Sequence, residues 1–216
     1  MAISTALWSF ALVVGLLTLT PGLDTALVLR TAAVGHRRRA WGVVLGIQSG
    51  TLVWGALTSA GITAVLTASQ LAYDVLRWAG AAYLLWMGGR MLLATLRRRR
   101  GGEDTGSVEV PGPSEGRPTL AAGWRQGLLT NVLNPKIGVF YVAVLPQFIP
   151  EGAPHLATGV LLTLVHVVLG TVWSAVLVGC AKAVGGWLRR PAARRALDRV
   201  TGTAIVGFGV HLALSE

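Results

Sequence analysis

Apolar residues fall in long blocks separated by short polar breaks. The blocks run from Leu7 to Leu29, Ala40 to Leu66, Val75 to Leu96, Gly123 to Phe148, Leu156 to Trp187 and Leu197 to Leu214. A transmembrane helix needs about 20 predominantly apolar residues, so the pattern predicts six spans. The fifth is longer than a bilayer requires and is expected to tilt, kink or overhang. The sixth opens on Asp198 and Arg199 and is the least apolar. No basic segment precedes the first block, and that block is too long for the core of a cleavable signal.

Composition agrees with the pattern. Of 216 residues, 53% are hydrophobic and only 13% charged, about half the charge of an ordinary soluble protein. Mean hydropathy is +0.61. A soluble domain, a disordered chain and a disulfide scaffold are excluded. The fold class is therefore an all-α integral membrane protein. The lone cysteine, Cys180, lies in an apolar run and is expected to be a small buried hydrophobe.

The net charge of +10 reads as sidedness. Arg37 to Arg39 fall in the first connection. Arg97 to Arg100, Arg117 and Arg125 fall in the third, and Arg189, Arg190, Arg194, Arg195 and Arg199 in the fifth. By the positive-inside rule these connections are cytoplasmic and both termini lie outside. Trp8, Trp41, Trp78, Trp124 and Trp187 sit near predicted interfaces, as aromatic belts do. The expected partners of the arginines are anionic membrane lipids, not nucleic acid. Arg90 and Lys182, near cytoplasmic ends, are expected to snorkel. Residues 97–122 form a basic linker rich in Gly, Pro, Ser and Glu. It separates a three-helix unit, 1–96, from a second, 123–216.

The two units resemble each other. Gly15-Leu16-Leu17-Thr18 recurs as Gly127-Leu128-Leu129-Thr130, each followed by a proline, Pro21 or Pro135. Val53-Trp54-Gly55-Ala56 answers Val172-Trp173-Ser174-Ala175, and Arg77-x-x-Gly80-x-Ala82 answers Arg199-x-x-Gly202-x-Ala204. With three helices per unit the second copy enters the membrane upside down. This is the inverted repeat common in secondary transporters.

The first helix of each unit is broken inside the membrane, at Thr20-Pro21-Gly22-Leu23-Asp24 and at Asn134-Pro135-Lys136. Each reads as a restart, with Thr20 or Asn134 as N-cap and proline at the first helical position. Two half-helix N-termini at mid-membrane suit a carboxylate or another anionic group. Thr20, Pro21, Gly22, Asp24, Asn134, Pro135 and Lys136 are therefore the candidate substrate-binding residues. A charge within a span is costly and by default marks a site. Asp24 has three readings: neutralising its own half-helix, binding an ammonium group, or carrying a coupling proton. Lys136 calls for an anionic partner, either Asp24 or a substrate carboxylate. Gln48, Asn131 and His166 are secondary cavity candidates; His166 either bonds a neighbouring helix or relays protons. Gly42, Gly46 and Gly50 present a small-residue face for close packing, or a hinge. Gly80, Gly88 and Gly89 are expected to pack likewise.

These motifs also carry a family resemblance. The chain resembles the lysine-exporter (LysE/RhtB) family of bacterial amino-acid efflux proteins over nearly its whole length. The resemblance rests on Thr20-Pro21-Gly22-Leu23-Asp24, the glycine-spaced second helix after Gly35, and Trp78-x-Gly80-x-x-Tyr83-Leu84-x-x-x-Gly88. It extends to Asn134-Pro135-Lys136, Phe140 and Leu145-Pro146-Gln147-Phe148. The family pattern usually has a second proline where this chain has Leu23. The resemblance implies a small exporter of amino acids or close derivatives in the bacterial inner membrane, exchanging against protons, with a homodimer as the implied assembly.

Other classes fare worse. There is no HExxH, no GxSxG and no paired histidines, so neither an intramembrane enzyme nor a metal-ion exporter with a ligand cluster is indicated. No cofactor is implied. A scaffold would not explain charged, broken helices in both units. A passive channel, or an exporter of another small solute, is the remaining alternative.

Overall fold

The computed structural model describes residues 2–33, 36–68, 119–181 and 190–214, with 75, 78, 81–82, 85–86, 88–90, 92–93 and 183. Every regular element among them is helical.

Helix α1 (Ile3–Leu19) stops where Pro21 intervenes. A residue before proline is pushed out of the α region, and Thr20 is accordingly extended, at φ −73° and ψ 118°. Helix α2 (Leu23–Ala33) resumes with Asp24 in its first turn. The two are bent by 54°. Helix α3 (Arg37–Ala68) is long and unbroken. Helix α4 (Leu120–Val132) starts on an N-cap, with Thr119 accepting from the Ala122 amide at 3.2 Å. It ends two residues before Asn134, which is extended for the same reason as Thr20. Helix α5 (Pro135–Val144) follows and tightens into a 3₁₀ turn, Leu145–Phe148. This pair is bent by 55°. Helices α6 (His155–Gly179) and α7 (Pro191–Leu214) complete the described elements.

Among the described residues, two helices, α3 and α6, are each long and apolar enough to cross a membrane, and up to four spans result if each bent pair is one. The surface is organised for lipid. On α6 the buried side carries Thr158, Thr163, His166, Gly170 and Ser174, whereas Leu161, Leu164, Val168 and Val172 face outward. That is the reverse of a soluble helix.

The glycine face of α3 packs tightly on α4. A Cβ at Gly42 would strike the Leu120 carbonyl, and one at Gly46 the Trp124 carbonyl; Gly123 and Gly127 meet the carbonyls of Arg39 and Val43 in return. Backbone-to-backbone approach of this kind needs glycine on both helices. Farther along, α3 crosses α6. Ser59 and Thr163 seat over Gly159 and Gly55 respectively, each hydroxyl donating to the carbonyl one turn back on its own helix. Two apolar clusters result. One joins α1, α5, the 3₁₀ turn and α6 through Phe10, Phe140, Tyr141, Phe148 and Leu162. The other joins α2, α3 and α6 through Leu27, Val28, Val43, Val44 and Leu177.

Several expectations are corrected. The helix of the fifth span, α6, stops at Gly179, near the length a single span needs; residues 182 and 184–189 of the expected span lie outside the described set. Cys180 caps that helix at φ −116° and ψ 31° and is exposed rather than buried. The last helix begins at Pro191, not Leu197, because proline is favoured at a first helical position. Arg39 is not a solvated loop charge: it is buried against α4, its guanidinium donating to Gln126 Oε1 at 3.0 Å. Gly88 does pack, on Gly202 and Val206 of α7, but Gly89 faces open space. Gly80, Lys182, Trp187 and the linker from 97 to 118 lie outside the described residues.

Candidate functional site

The two breaks meet. Thr20, Gly22, Asp24, Asn134 and Lys136 line one cavity of about 60 Å³, together with Gln48, Asn131 and His166. One water needs about 10–15 Å³ of such space, so the cavity holds a few waters or the polar head of a small molecule. Pro21 and Pro135 do not line it. They shape the backbone around it.

Each break contacts a residue from the other. Proline has no N–H, so in an uninterrupted helix Pro21 would leave the Leu17 carbonyl without its i+4 donor. The Lys136 ammonium supplies a donor there, at 3.3 Å from Leu17 O and 3.4 Å from Thr20 O. These carbonyls form the negative end of α1, so a cation is well placed. The lysine stem passes beside Gly22. In the other direction Asp24, from the first break, accepts from Asn131 Nδ2 at 2.8 Å and, more distantly, from Asn134 Nδ2 at 3.5 Å. Asn134 Oδ1 accepts from the Lys136 backbone amide at 3.1 Å. That cap leaves the amide nitrogen facing Asp24. The opposite charges of Asp24 and Lys136 also act on each other across the cavity.

The restart at Asn134 is as the sequence predicts: Asn134 is the N-cap and Pro135 the first helical residue. The restart at Thr20 is not. Helix α2 begins at Leu23, and the Gly22 carbonyl accepts the Ala26 amide. Thr20 instead terminates α1, its amide and hydroxyl both donating to Leu16 O at 3.2 and 2.9 Å. Its hydroxyl turns back to the carbonyl one turn earlier in its own helix, so it does not cap the next helix.

The secondary candidates converge on the same space. Gln48 lies against the Gly170 backbone, where a Cβ would approach its amide at 3.0 Å. Asn131 is fully buried, and its Oδ1 has no hydrogen-bond partner. His166 bonds a neighbouring helix: its Nδ1 is 3.0 Å from the Tyr141 hydroxyl, with the rings stacked at 11°. Thr18, Thr25, Thr51, Trp173 and Ser174 also line the cavity, and the indole nitrogen of Trp173 is buried without a partner. Sequence reading passes over these five. A hydroxyl in an apolar helix commonly bonds its own backbone, as Thr18 does with Val14 O at 2.7 Å. The usable signal was helical spacing for three of them, Thr51 from Gln48 and Trp173 and Ser174 from His166. Among the described residues, no three His, Cys, Asp or Glu side chains gather as a metal site would require.

Comparison with known proteins places this geometry in a family. Residues 16–216 match the LysE type translocator family. A homoserine/homoserine lactone efflux protein of Salmonella typhimurium is 30% identical, over 95% of this chain and 96% of the relative. A threonine efflux protein of Escherichia coli K12 is 28% identical, over 92% of each chain. An uncharacterized membrane protein of Bacillus subtilis, YrhP, is 26% identical over 97% of this chain and 99% of its own length. No solved structure matches. The chain belongs to the LysE type translocators. It is a membrane transport protein and not an enzyme.

Proposed function

We propose that this LysE type translocator exports an amino acid or close derivative across the bacterial inner membrane in exchange for protons. The observation that carries the reading is the Asp24 carboxylate, set into a cavity between two broken helices. A buried carboxylate at that depth is matched by an ammonium group or a proton. Two efflux relatives of similar length, named for homoserine and threonine, support an amino acid as the ligand.

In this reading the substrate ammonium engages Asp24, held by Asn131 and Asn134. The substrate carboxylate turns toward the N-terminus of α2 and toward Lys136. Thr20, Pro21, Gly22 and Pro135 shape the backbone that leaves room for it. Asp24 takes up the coupling proton when the substrate leaves. The chain forms six spans as two inverted three-helix units, 1–96 and 123–216, joined by the basic linker 97–122. The arginine-rich connections face the cytoplasm and both termini face outward. The similar bends of the two broken pairs, 54° and 55°, support that repeat. Rocking of the units around the cavity exposes it alternately to each side. A homodimer is the assembly we propose.

Counterflow in proteoliposomes tests this. The wild type is expected to show trans-acceleration with an amino acid, which a passive channel does not. Asp24→Asn keeps the shape and the amide contacts but loses the charge, and is expected to abolish substrate-dependent exchange. Full exchange by that variant rejects the assignment.

A further inference from the structure

Helix α3 changes character at the cavity. Between Arg39 and Gln48 its buried positions are Ala40, Gly42, Val43, Val44, Gly46 and Ile47, and none of these side chains can bond water. From Gln48 onward the same helix carries Gln48, Thr51, Trp54 and Thr58, whose spacing places them on one face. Gln48 and Thr51 line the cavity. Trp54 and Thr58 lie beyond it. The Trp54 indole nitrogen and the Thr58 hydroxyl are both buried with no hydrogen-bond partner among the described residues.

Two unpaired groups one turn apart are out of keeping with this fold. Ser59, Thr163 and Thr171 each donate to the carbonyl one turn back, and Thr58 does not. A buried polar group without a protein partner is ordinarily met by an ordered water. The indole is also seated by design: a Cβ at Gly138 of α5 would strike its ring at 2.8 Å, so glycine there admits it beside the second broken helix.

The stripe has a direction. The span of α3 runs from Arg37 to Gly61, and Thr58 stands within one turn of its far end. Gln48 to Thr58 is a rise of about 15 Å. On the other side of the cavity, Val28, Ile47 and Leu177 line it as part of an apolar cluster. On α3, polar side chains thus lead from the cavity toward one membrane face and not toward the other.

We infer that Gln48, Thr51, Trp54 and Thr58 hold a file of water along which the coupling proton passes from the outer face to the Asp24 carboxylate. This rests on the proposed function, which puts proton uptake at Asp24 and the arginine-rich connections inside. The step is proton transfer alone. A hydronium at the outer mouth gives up one proton, each water accepts one and passes one on, and Asp24 becomes the neutral acid as the substrate ammonium leaves. The other titratable groups on the cavity wall are Lys136 of α5 and His166 of α6. Helix α3 brings none to it, so its side chains order the water and do not store the proton.

Two measurements in proteoliposomes separate the proton from the substrate, both with a labelled mixture of the common amino acids as the probe. Counterflow exchanges substrate for substrate and needs no net proton transfer. Substrate-coupled proton movement is read by a pH dye sealed in the lumen. The double variant Trp54→Phe/Thr58→Val removes both polar atoms beyond the cavity, and an apolar void stays dry. It is expected to slow coupled proton movement at least about tenfold, the worth of one buried hydrogen bond, while counterflow stays near the wild-type rate. Thr58→Ser keeps a hydroxyl and is expected to keep proton movement. A double variant that moves protons at the wild-type rate overturns the inference. So does one that loses both rates by the same factor, as damaged packing would, or a Thr58→Ser protein as slow as the double variant. If the double variant does not fold, Thr58→Val decides by the same two rates. A wild type that exchanges amino acids without moving protons overturns the water file and leaves amino-acid export standing. One that exchanges no amino acid overturns the proposed function itself.

Discussion

The two broken helices have almost the same bend, 54° and 55°, and reach it by different chemistry. The α4–α5 break is closed within its own chain segment. Asn134 caps the following helix, Pro135 occupies a position where its missing N–H costs nothing, and the gap is two residues, Leu133 and Asn134. The α1–α2 break has a three-residue gap, Thr20 to Gly22, and its open carbonyls depend on a lysine from the other break. One break is self-sufficient and carries the other. A shared angle therefore does not imply shared energetics. The transporter's two halves are expected to differ in rigidity, with the α1–α2 break the more easily deformed.

That asymmetry can be tested by substitution. The largest effect is expected from Lys136→Met, which takes the ammonium away from the Leu17 and Thr20 carbonyls. It should destabilise the protein by about 1–3 kcal/mol and disorder the first break, measured as a fall in melting temperature in detergent with loss of counterflow. Unchanged melting would show that the first break stands alone. Next is Asn134→Ala, removing the cap of α5 and one amide facing Asp24. About 0.5–2 kcal/mol is expected, with a weaker KM. Pro21→Ala restores an N–H that can reach Leu17 O and so competes with Lys136. Stability should hold or rise while exchange falls, because α1 extends across the gap; a stability loss instead would mean the proline is held in place by strain elsewhere. The smallest effect belongs to Pro135→Ala. At a first helical position the restored N–H has no intrahelical partner, so a change of under about 0.5 kcal/mol is expected. If Pro21→Ala and Pro135→Ala behave alike, the comparison fails.

Much of this was legible in the chain. Long apolar blocks require helices, because a backbone in lipid must satisfy its own polar groups. Interior prolines require breaks. The scarcity of charge made Asp24 and Lys136 conspicuous, and both line the cavity. The glycine spacing of α3 announced close packing, and α4 supplies the matching glycines. What went astray was local competition. Thr20 and Asn134 both precede proline and are both extended, yet the hydroxyl of Thr20 turns back to Leu16 O whereas the Asn134 side chain turns forward to Lys136 N. Helix α5 starts at the residue after Asn134, whereas α2 starts three residues after Thr20, whose hydroxyl can donate back to its own helix. Cys180 followed an apolar run, but the helix ends at it.

The sequence by itself determined the class of the protein, the positions of its helix breaks and the identity of its few intramembrane charges, since each follows from chain-local physics. Only the tertiary structure decided that Lys136 serves the break of the opposite half. It alone also showed that Asp24 is gripped by Asn131 across more than a hundred residues, and that His166 stacks on Tyr141 and bonds its hydroxyl. Those assignments depend on which donors and acceptors the folded helices bring within about 3 Å of one another. No periodicity along a single helix contains that distance.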